Sequence, residues 1–465
     1  MADQNGIADG DRRTIDFDHH SPELTERVED LGVGPALSEF QAKCPIAWST
    51  AHEGFWLTTG YKELKRVAID DKTFSSDFDV NHERGGTPDK PGYRGVGVPP
   101  VSVVPFGFLE MDDPDHAHIR RALTPWLGPE AAANWVPVIE DLTNAFIDEV
   151  IERGECDFID DIASPIPAVL TMMMLGTPLG KWKEWAEANH LQQSSFPGTP
   201  QKQRSEELMN DLVADLAGII AERRANPPEG EPKDLLGVMC QNEIGGRLLT
   251  EQEILLHAVL IVGGGVDTTT SVMGAAIKWL AQHPGERTRL AEDPDLTKTA
   301  IEEFLRVFPP VTGLARTAKC PVQVGDQKVD EGDRVLLMYA AANYDPQIFD
   351  EPQEVQLDRW PNRHTTFGLG GHRCIGLHVA RAVFTVVLRQ VLERLPDYTI
   401  DHENAQIYPD VGLNQGWISL PMKFTPGSKV GSEFKPSDAA PTASAVNAAA
   451  GMSDAIANAA DEVVH

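Results

Sequence analysis

Cysteine is scarce in this 465-residue chain, and its five copies (Cys44, Cys156, Cys240, Cys320 and Cys374) are odd in number and widely separated. That spacing is neither a disulfide framework nor a paired zinc signature. Basic residues are also under-represented: 40 Lys+Arg stand against 71 Asp+Glu, a formal net charge of -31. A surface so acidic repels phosphate backbones and anionic head groups, so neither nucleic acid nor a membrane surface is expected as a partner. Long hydrophobic runs are missing too. The longest, residues 254–266, is interrupted by His257 and falls short of the ~20 residues of a membrane span. The opening, MADQNGIADGDRRTIDFDHH, is charged throughout and lacks the apolar centre of a secretion signal. These absences predict a cytoplasmic protein with no membrane anchor.

What is there is the composition of a globular protein, 41% hydrophobic and 24% charged. Between residues 20 and 425 no linker-like segment and no repeat interrupts it, which predicts one large domain. Helical periodicity dominates. In residues 129–152, Trp135, Ile139, Leu142, Phe146 and Val150 recur at three- and four-residue intervals, the stripe of an amphipathic helix. Similar stripes occupy 201–224, 251–282, 297–308 and 377–394. Strand signals are short: FWLTTG at 55–60, and a hairpin-like alternation around Gly-Asp pairs in 321–339. The expected fold is therefore mainly α with a small β part. Residues 80–107 are rich in Gly and Pro and read as a binding loop or lid. Residues 1–20 read as a flexible arm, 21–425 as the domain, and 426–465 as an Ala-rich low-complexity tail.

One cysteine stands in a setting of its own. Residues 367–376, FGLGGHRCIG, lead directly into a strong helix pattern, which puts Cys374 at a helix N-terminus. Unpaired N–H groups and the positive end of the helix dipole stabilise a thiolate there, and the surrounding glycines let backbone approach a bulky flat group. Such a sulfur suits a metal. A zinc site built from His372, Cys374 and His378 would have only three ligands at hand. A dinucleotide fingerprint would need Gly at 373, which is Arg.

Phe367, Gly370, His372, Cys374 and Gly376 form a pattern that resembles the haem-ligand loop of the cytochrome P-450 superfamily. Three further segments resemble that family in the same order. Asp113-Pro-Asp-His116 with Arg120 is similar to its bacterial haem-propionate motif. Residues 264–269, GGVDTT, resemble the oxygen-binding bend of its long central helix. Glu303 and Arg306 resemble its Glu-x-x-Arg helix, with Arg359 in the place of that ion network's third partner. The resemblance spans roughly residues 40–425 and implies the cytochrome P-450 fold, a single large triangular-prism domain.

It also implies a haem b cofactor (iron protoporphyrin IX) with Cys374 as its axial thiolate, tempered by backbone amides at Gly376 and with Phe367 packed on the ligand loop. His116, Arg120, Arg316 and His372 are nominated for the haem propionates, which need cationic partners inside a protein. Gly263, Gly264 and Gly265 weaken the helix by about 1 kcal/mol each, which a widened turn over the iron would explain. Thr268 would hydrogen-bond bound oxygen there, with Asp267 passing protons from solvent. The implied activity is monooxygenation: one atom of O2 enters an apolar small molecule, terpenoid, steroid-like or aromatic, with electrons from a ferredoxin and ferredoxin reductase. Oxidative coupling or dehydration on the same fold stays open, as does a haem sensor or carrier without turnover. Substrate walls are expected at 80–107, 175–200, Val262 and Gly263, Val311 to Leu314, and Trp417 and Ile418, with Arg84 or Arg94 available for a substrate carboxylate. Residues 359–389 hold Arg359, Arg363, Arg373, Arg381 and Arg389 with no acid, an expected docking face for an acidic ferredoxin.

Overall fold

Thr250 caps the longest helix through a reciprocal pair: its hydroxyl accepts from the Glu253 N–H, and the Glu253 carboxylate accepts from the Thr250 N–H. The computed structural model describes residues 12–79, 93–99, 105–195 and 198–436. The helices that position the site are α1 (Asp115–Leu127), α2 (Pro129–Val150), α3 (Pro165–Leu175), α4 (Trp182–Ser194), α5 (Glu251–Gln282), α6 (Thr297–Val307) and α7 (Leu377–Arg394). The helical stripes expected at 129–152, 251–282, 297–308 and 377–394 thus form within two residues of their expected ends. Helix α5 crosses the middle of the body and buries Ile254, Ala258, Val262, Val266, Met273, Ile277 and Leu280. Helices α2 and α7 lie side by side, joined by Arg389 to Glu140 and Arg394 to Asp148.

The main sheet contains β1 (Ile46–Ser49), β2 (Phe55–Thr58), β3 (Phe74–Ser75), β4 (Leu314–Ala318) and β5 (Arg334–Leu337), in the order β1-β2-β5-β4-β3. Strand β5 runs parallel to β2 and antiparallel to β4, with Val335 opposite Arg316. The alternation in 321–339 therefore splits in two. Val322–Val324 and Gln327–Val329 close a hairpin over Gly325, whose φ is 57°, while the residues after Gly332 join a sheet set by strands far away in sequence. A second hairpin, β6 (Gln406–Ile407) with β7 (Trp417–Ser419), packs on α5.

Both chain ends contribute packed stretches that composition assigns to an arm and a tail. Phe17 is buried edge-on against Phe40, and the Ile15 N–H donates to the Trp48 carbonyl. Residues 426–436 run along α2: Phe434 is buried beside Phe146, and Asp141 and Asp148 accept four backbone N–H groups from residues 430–434. One buried aromatic and two well-placed carboxylates anchor such a segment, and an average over composition hides them. Residues 1–11 and 437–465 lie outside the described residues. Residues 158–175 and helix α5 are long and apolar enough to cross a membrane by composition, but more than half of each window is buried in the body.

Candidate active site

Gly376 N-caps α7, so the Cys374 loop ends where that helix begins. The loop is folded by backbone: the Cys374 N–H donates to the Phe367 carbonyl at 2.7 Å, and Gly368 and Gly370 adopt φ of 69° and 74°. At Gly370 a Cβ would sit 2.4 Å from the Ala68 carbonyl oxygen, so backbone packing alone demands glycine there. Cys374 is open on one side, and that side faces an internal cavity of about 280 Å³ instead of bulk water. Burial pushes its thiol above the usual range, against the Gly376 N–H and the charges of Arg120, Arg381 and Arg373, which pull it down.

Across the cavity stands α5. Gly264 and Thr268 line it, with the Thr268 hydroxyl donating to the Gly264 carbonyl at 2.8 Å. The helix continues through Gly263, Gly264 and Gly265, and the absent side chain of Gly264 leaves room on the cavity side. A Cβ at Gly264, or at Gly376 on the opposite wall, would meet nothing within 4 Å, whereas one at Gly265 would strike the Thr171 hydroxyl at 2.7 Å. Asp267 faces away from the cavity. It is 1% exposed, and its carboxylate accepts from Tyr408 and lies 3.3 Å from the His190 imidazole. Its carboxylate is therefore reached through these two side chains and not from the cavity.

Four nitrogen-bearing side chains gather at the cavity's edge. His116 and His372, 256 residues apart in sequence, stack with ring centroids 3.8 Å apart. Burial lowers His116 and sends His372 far below the imidazole range, with Arg316, His116 and Arg120 repelling its proton further. Burial also lowers both arginines. Arg316 donates to its neighbour's carbonyl, Ala315 O, at 2.8 Å, and among the described residues neither Arg120 nor Arg316 forms an ion pair. The buried His116 Nε2 has no hydrogen-bond partner. Two guanidiniums without a carboxylate partner, beside stacked imidazoles that burial holds neutral, are costly inside a protein without an anion to meet them.

The walls are mostly apolar: Phe108, Leu170, Met174, Leu260, Ile261 and Val383 among them. Val311 and Leu314 stand where the sequence placed them. Val262 and Gly263 do not line the cavity, because helical phase turns Leu260, Ile261 and Gly264 inward instead. Helix α3 takes the place assigned to 175–200, and Trp417 packs instead against α5 near Gly274, with Lys278 over its ring. Arg94 is held by Glu53 at 2.6 Å and is not a wall residue; Arg84 lies outside the described residues. The ends of the 80–107 segment are pinned, since the buried Glu110 accepts from the Val96 and Phe106 N–H groups and Arg334 donates to the Gly95 and Gly97 carbonyls.

Beneath the cysteine loop, Glu303 receives both Arg306 and Arg359, all three buried. Sequence reasoning missed the pair beside it. Glu302 accepts two bonds from Arg381, at 2.6 and 2.7 Å, and approaches His364 Nε2 at 3.0 Å, while the Arg381 guanidinium lies 4.6 Å over the Phe367 ring. Of the five arginines in 359–389, Arg359, Arg381 and Arg389 are thus spent on ion pairs. Only Arg363 and Arg373 are exposed and without an ion pair among the described residues, which shrinks the expected basic face to those two. Tyr339, another cavity residue the sequence did not flag, is buried near Arg316.

Burial opposes ionisation of Glu302, yet Arg381 and the His364 hydrogen bond hold its carboxyl down to about 2. A depressed carboxyl adds stability that is complete above its unfolded value of about 4.3 and is lost as pH falls toward the folded value. Glu302→Gln is therefore expected to flatten the fall of unfolding free energy between pH 4.3 and 2. Urea unfolding at a series of pH values measures it; an unchanged slope would show that the pair does not couple to folding.

A model of the family described as Cytochrome P450 matches residues 105–407. Steroid C26-monooxygenase of Mycolicibacterium smegmatis is 29% identical over 88% of this chain and 98% of its own length. Linalool 8-monooxygenase of Pseudomonas putida is 27% identical over 77% of this chain and 87% of its own. Among solved structures, HmtN, a hydroxylase of himastatin biosynthesis, superposes with a TM-score of 0.72 at 26% identity, over 85% of this chain and 99% of that one. A sulfur, a threonine-bearing helix and buried arginines without ion pairs beside one apolar cavity suit a haem-thiolate site, and by this match the chain belongs to the cytochrome P450 family as a haem-dependent monooxygenase.

Proposed function

We propose that this enzyme inserts one atom of O2 into an apolar small molecule of terpenoid, steroid-like or aromatic type, with Cys374 as the axial ligand of its haem. The observation that carries this reading is that Cys374 and Thr268 face one apolar cavity whose edge holds Arg120, without an ion pair, beside the stacked His116 and His372. The fit to the cofactor is chemical. Cys374 would hold the iron, Gly264 and Gly376 leave open space on opposite walls, and His116, Arg120, Arg316 and His372 would hold the two propionates. When bound, the haem supplies the oxygen-activating redox chemistry. The apolar walls bind the substrate by excluding water, and Thr268 offers a hydroxyl to the oxygen side of the cavity. Protons reach that side through Asp267. Relatives named for a steroid and for linalool support the apolar substrate class.

Thr268→Ala is expected to retain haem and substrate binding but to release most of the oxygen it consumes as peroxide, because the hydroxyl that Thr268 offers to the oxygen side is lost. The substrate is first chosen by the haem spin-state change it causes on titration, and oxygen consumed, product and peroxide are then measured together. Wild-type coupling in the variant would move the proton route away from Thr268.

We assign the electron donor, an acidic ferredoxin served by its reductase, to the face bearing Arg363 and Arg373. Charge reversal at either position is expected to slow reduction at low salt and to weaken its salt dependence, with substrate affinity unchanged. Stopped-flow reduction at several ionic strengths checks it, and rates equal to wild type would place the donor elsewhere.

A further inference from the structure

A second cavity, of about 510 Å³, lies beside the end of the main sheet where β1 stops and β2 and β5 begin, and it shares no wall residue with the cavity that Cys374 faces. Its volume falls in the roughly 300–1,000 Å³ range of small-molecule sites. The turn between β1 and β2 supplies one wall, and Arg94, Val98 and Pro99 supply another. That turn has an unusual backbone. Among the described residues only three other than glycine have positive φ, and two of them, His52 at 50° and Glu53 at 69°, stand here. Gly54 follows at 93°, where a Cβ would sit 2.2 Å from the Trp48 ring. Side-chain-bearing residues hold such a backbone only where their surroundings over-determine it.

Arg334 lines this cavity and is 8% exposed. Its Nη2 donates to the Gly95 and Gly97 carbonyls at 2.9 and 2.7 Å, its Nε is buried without a partner, and its Nη1 makes no hydrogen bond among the described residues. No carboxylate among the described residues pairs with it. The acids of the same wall are already engaged: Glu53 holds Arg94 at 2.6 Å, and Asp333 accepts from Trp56 Nε1 at 2.8 Å and meets Arg12 at 3.5 Å. Burial lowers the Arg334 guanidinium to about 10, with Arg94 and Arg316 repelling its charge and Glu110 opposing them. It stays charged at neutral pH, and its charge is the uncompensated one of this cavity.

We propose that this cavity is a binding site for a carboxylate carried on an apolar body, held by Arg334 through Nη1 and assisted by Arg94. One free guanidinium edge matches one carboxylate. A phosphate dianion would meet Glu53 and Asp333 with only one uncompensated cation to favour it. Trp48, Val98 and Pro99 supply the apolar contact. An occupant also bears on the haem cavity through a single segment. Arg334 grips residues 95 and 97, the Val96 carbonyl between them accepts from the Ala315 N–H at 2.7 Å, and the adjoining Leu314 lines the haem cavity. The carboxylate belongs either to a separate molecule or to the far end of a substrate that reaches the haem, and its chemistry at Arg334 is the same.

Decanoate is the probe and decanol its uncharged counterpart, each titrated into the haem-loaded protein by calorimetry and, in parallel, by the Soret band, which responds to occupancy near the iron. Decanoate is expected to bind more tightly than decanol, and less tightly as salt rises. Arg334→Gln keeps an N–H for the Gly95 and Gly97 carbonyls but loses the charge, and it should weaken decanoate by about tenfold or more while leaving decanol unchanged. Arg94→Gln, on a side chain that is not buried, should weaken decanoate by about two- to fivefold. Heat without a Soret change assigns the carboxylate to a separate molecule; heat with a Soret change, both weakened in Arg334→Gln, assigns it to the substrate itself. Equal affinity for decanoate and decanol in the wild type would overturn the site. So would wild-type decanoate binding in Arg334→Gln or, should that variant lose its haem, in Arg94→Gln. Loss of the thiolate spectrum would bear on Cys374, on which this site does not depend.

Discussion

Cys374→Ala is expected to abolish the strongly red-shifted Soret band of the reduced carbon monoxide complex, whereas alanine at Cys44, Cys156, Cys240 or Cys320 leaves it intact. The structure separates the five sulfurs by what surrounds them. Cys44 accepts from Arg13 and donates to the Ile46 carbonyl. Burial raises the Cys156 thiol far above the cysteine range, and burial raises Cys240 as well. Cys320 is exposed on the surface. Cys374 alone among them lines the apolar cavity. Burial raises its thiol, so iron would displace a proton on binding it, and the Gly376 N–H and three nearby arginines favour the anion left behind. The visible spectrum of each variant decides the matter. A histidine-type spectrum in the wild type would remove the thiolate assignment, and loss of the band in another cysteine variant would identify a different sulfur.

The second large effect is expected from Arg306→Ala, in stability and haem retention instead of chemistry. Arg306 is fully buried and donates five hydrogen bonds. Two go to Glu303 at 2.8 Å, and the others reach the carbonyls of Asn343 at 3.0 Å, Pro352 at 2.8 Å and Glu354 at 3.1 Å. Glu303 also accepts from Arg359, from the Gln356 N–H and from Asn362. Truncating Arg306 strands the Asn343 and Pro352 carbonyls, leaves the Glu354 carbonyl to Arg359 alone, and leaves Glu303 with one guanidinium. Removing one member of a buried ion pair costs about 3–5 kcal/mol, a large share of the roughly 5–15 kcal/mol that holds a protein folded. The carbonyls belong to the segment before the cysteine loop, so that loop should lose its support first. Little haem-containing protein is expected, with a lowered melting temperature in what is recovered. Arg306→Lys should not restore it, because an ammonium lacks the planar fork that spans Glu303 and the carbonyls. Wild-type haem content and melting temperature in Arg306→Ala would show the network to be dispensable.

Much of this site was legible because its signals are local. The Cys374 loop, the Glu303–Arg306 pair on one helix face and the glycines at 263–265 each lie within a few residues, where helical spacing and turn chemistry fix geometry. Resemblance to a family then ordered these pieces. Helical phase is less forgiving: a shift of one residue, from Gly263 to Gly264, decided which glycine opens on the cavity. Exposure was not legible at all. Arg381 and Arg389 sit in a stretch without acids, yet Glu302 and Glu140, from helices distant in sequence, claim them.

The sequence by itself therefore determined the helical class, the loop that sets Cys374 at a helix start and the local Glu303–Arg306 pair, because each follows from contacts three or four residues long, while the part proposed for Thr268 came from resemblance. Only the tertiary structure decided what those groups face. It stacked His116 on His372, closed Arg359 onto Glu303, and buried Asp267 between His190 and Tyr408, residues 77 and 141 positions away. Such pairings depend on how whole helices and hairpins pack, and packing is fixed by the shape of the assembled core, which no short window of sequence contains.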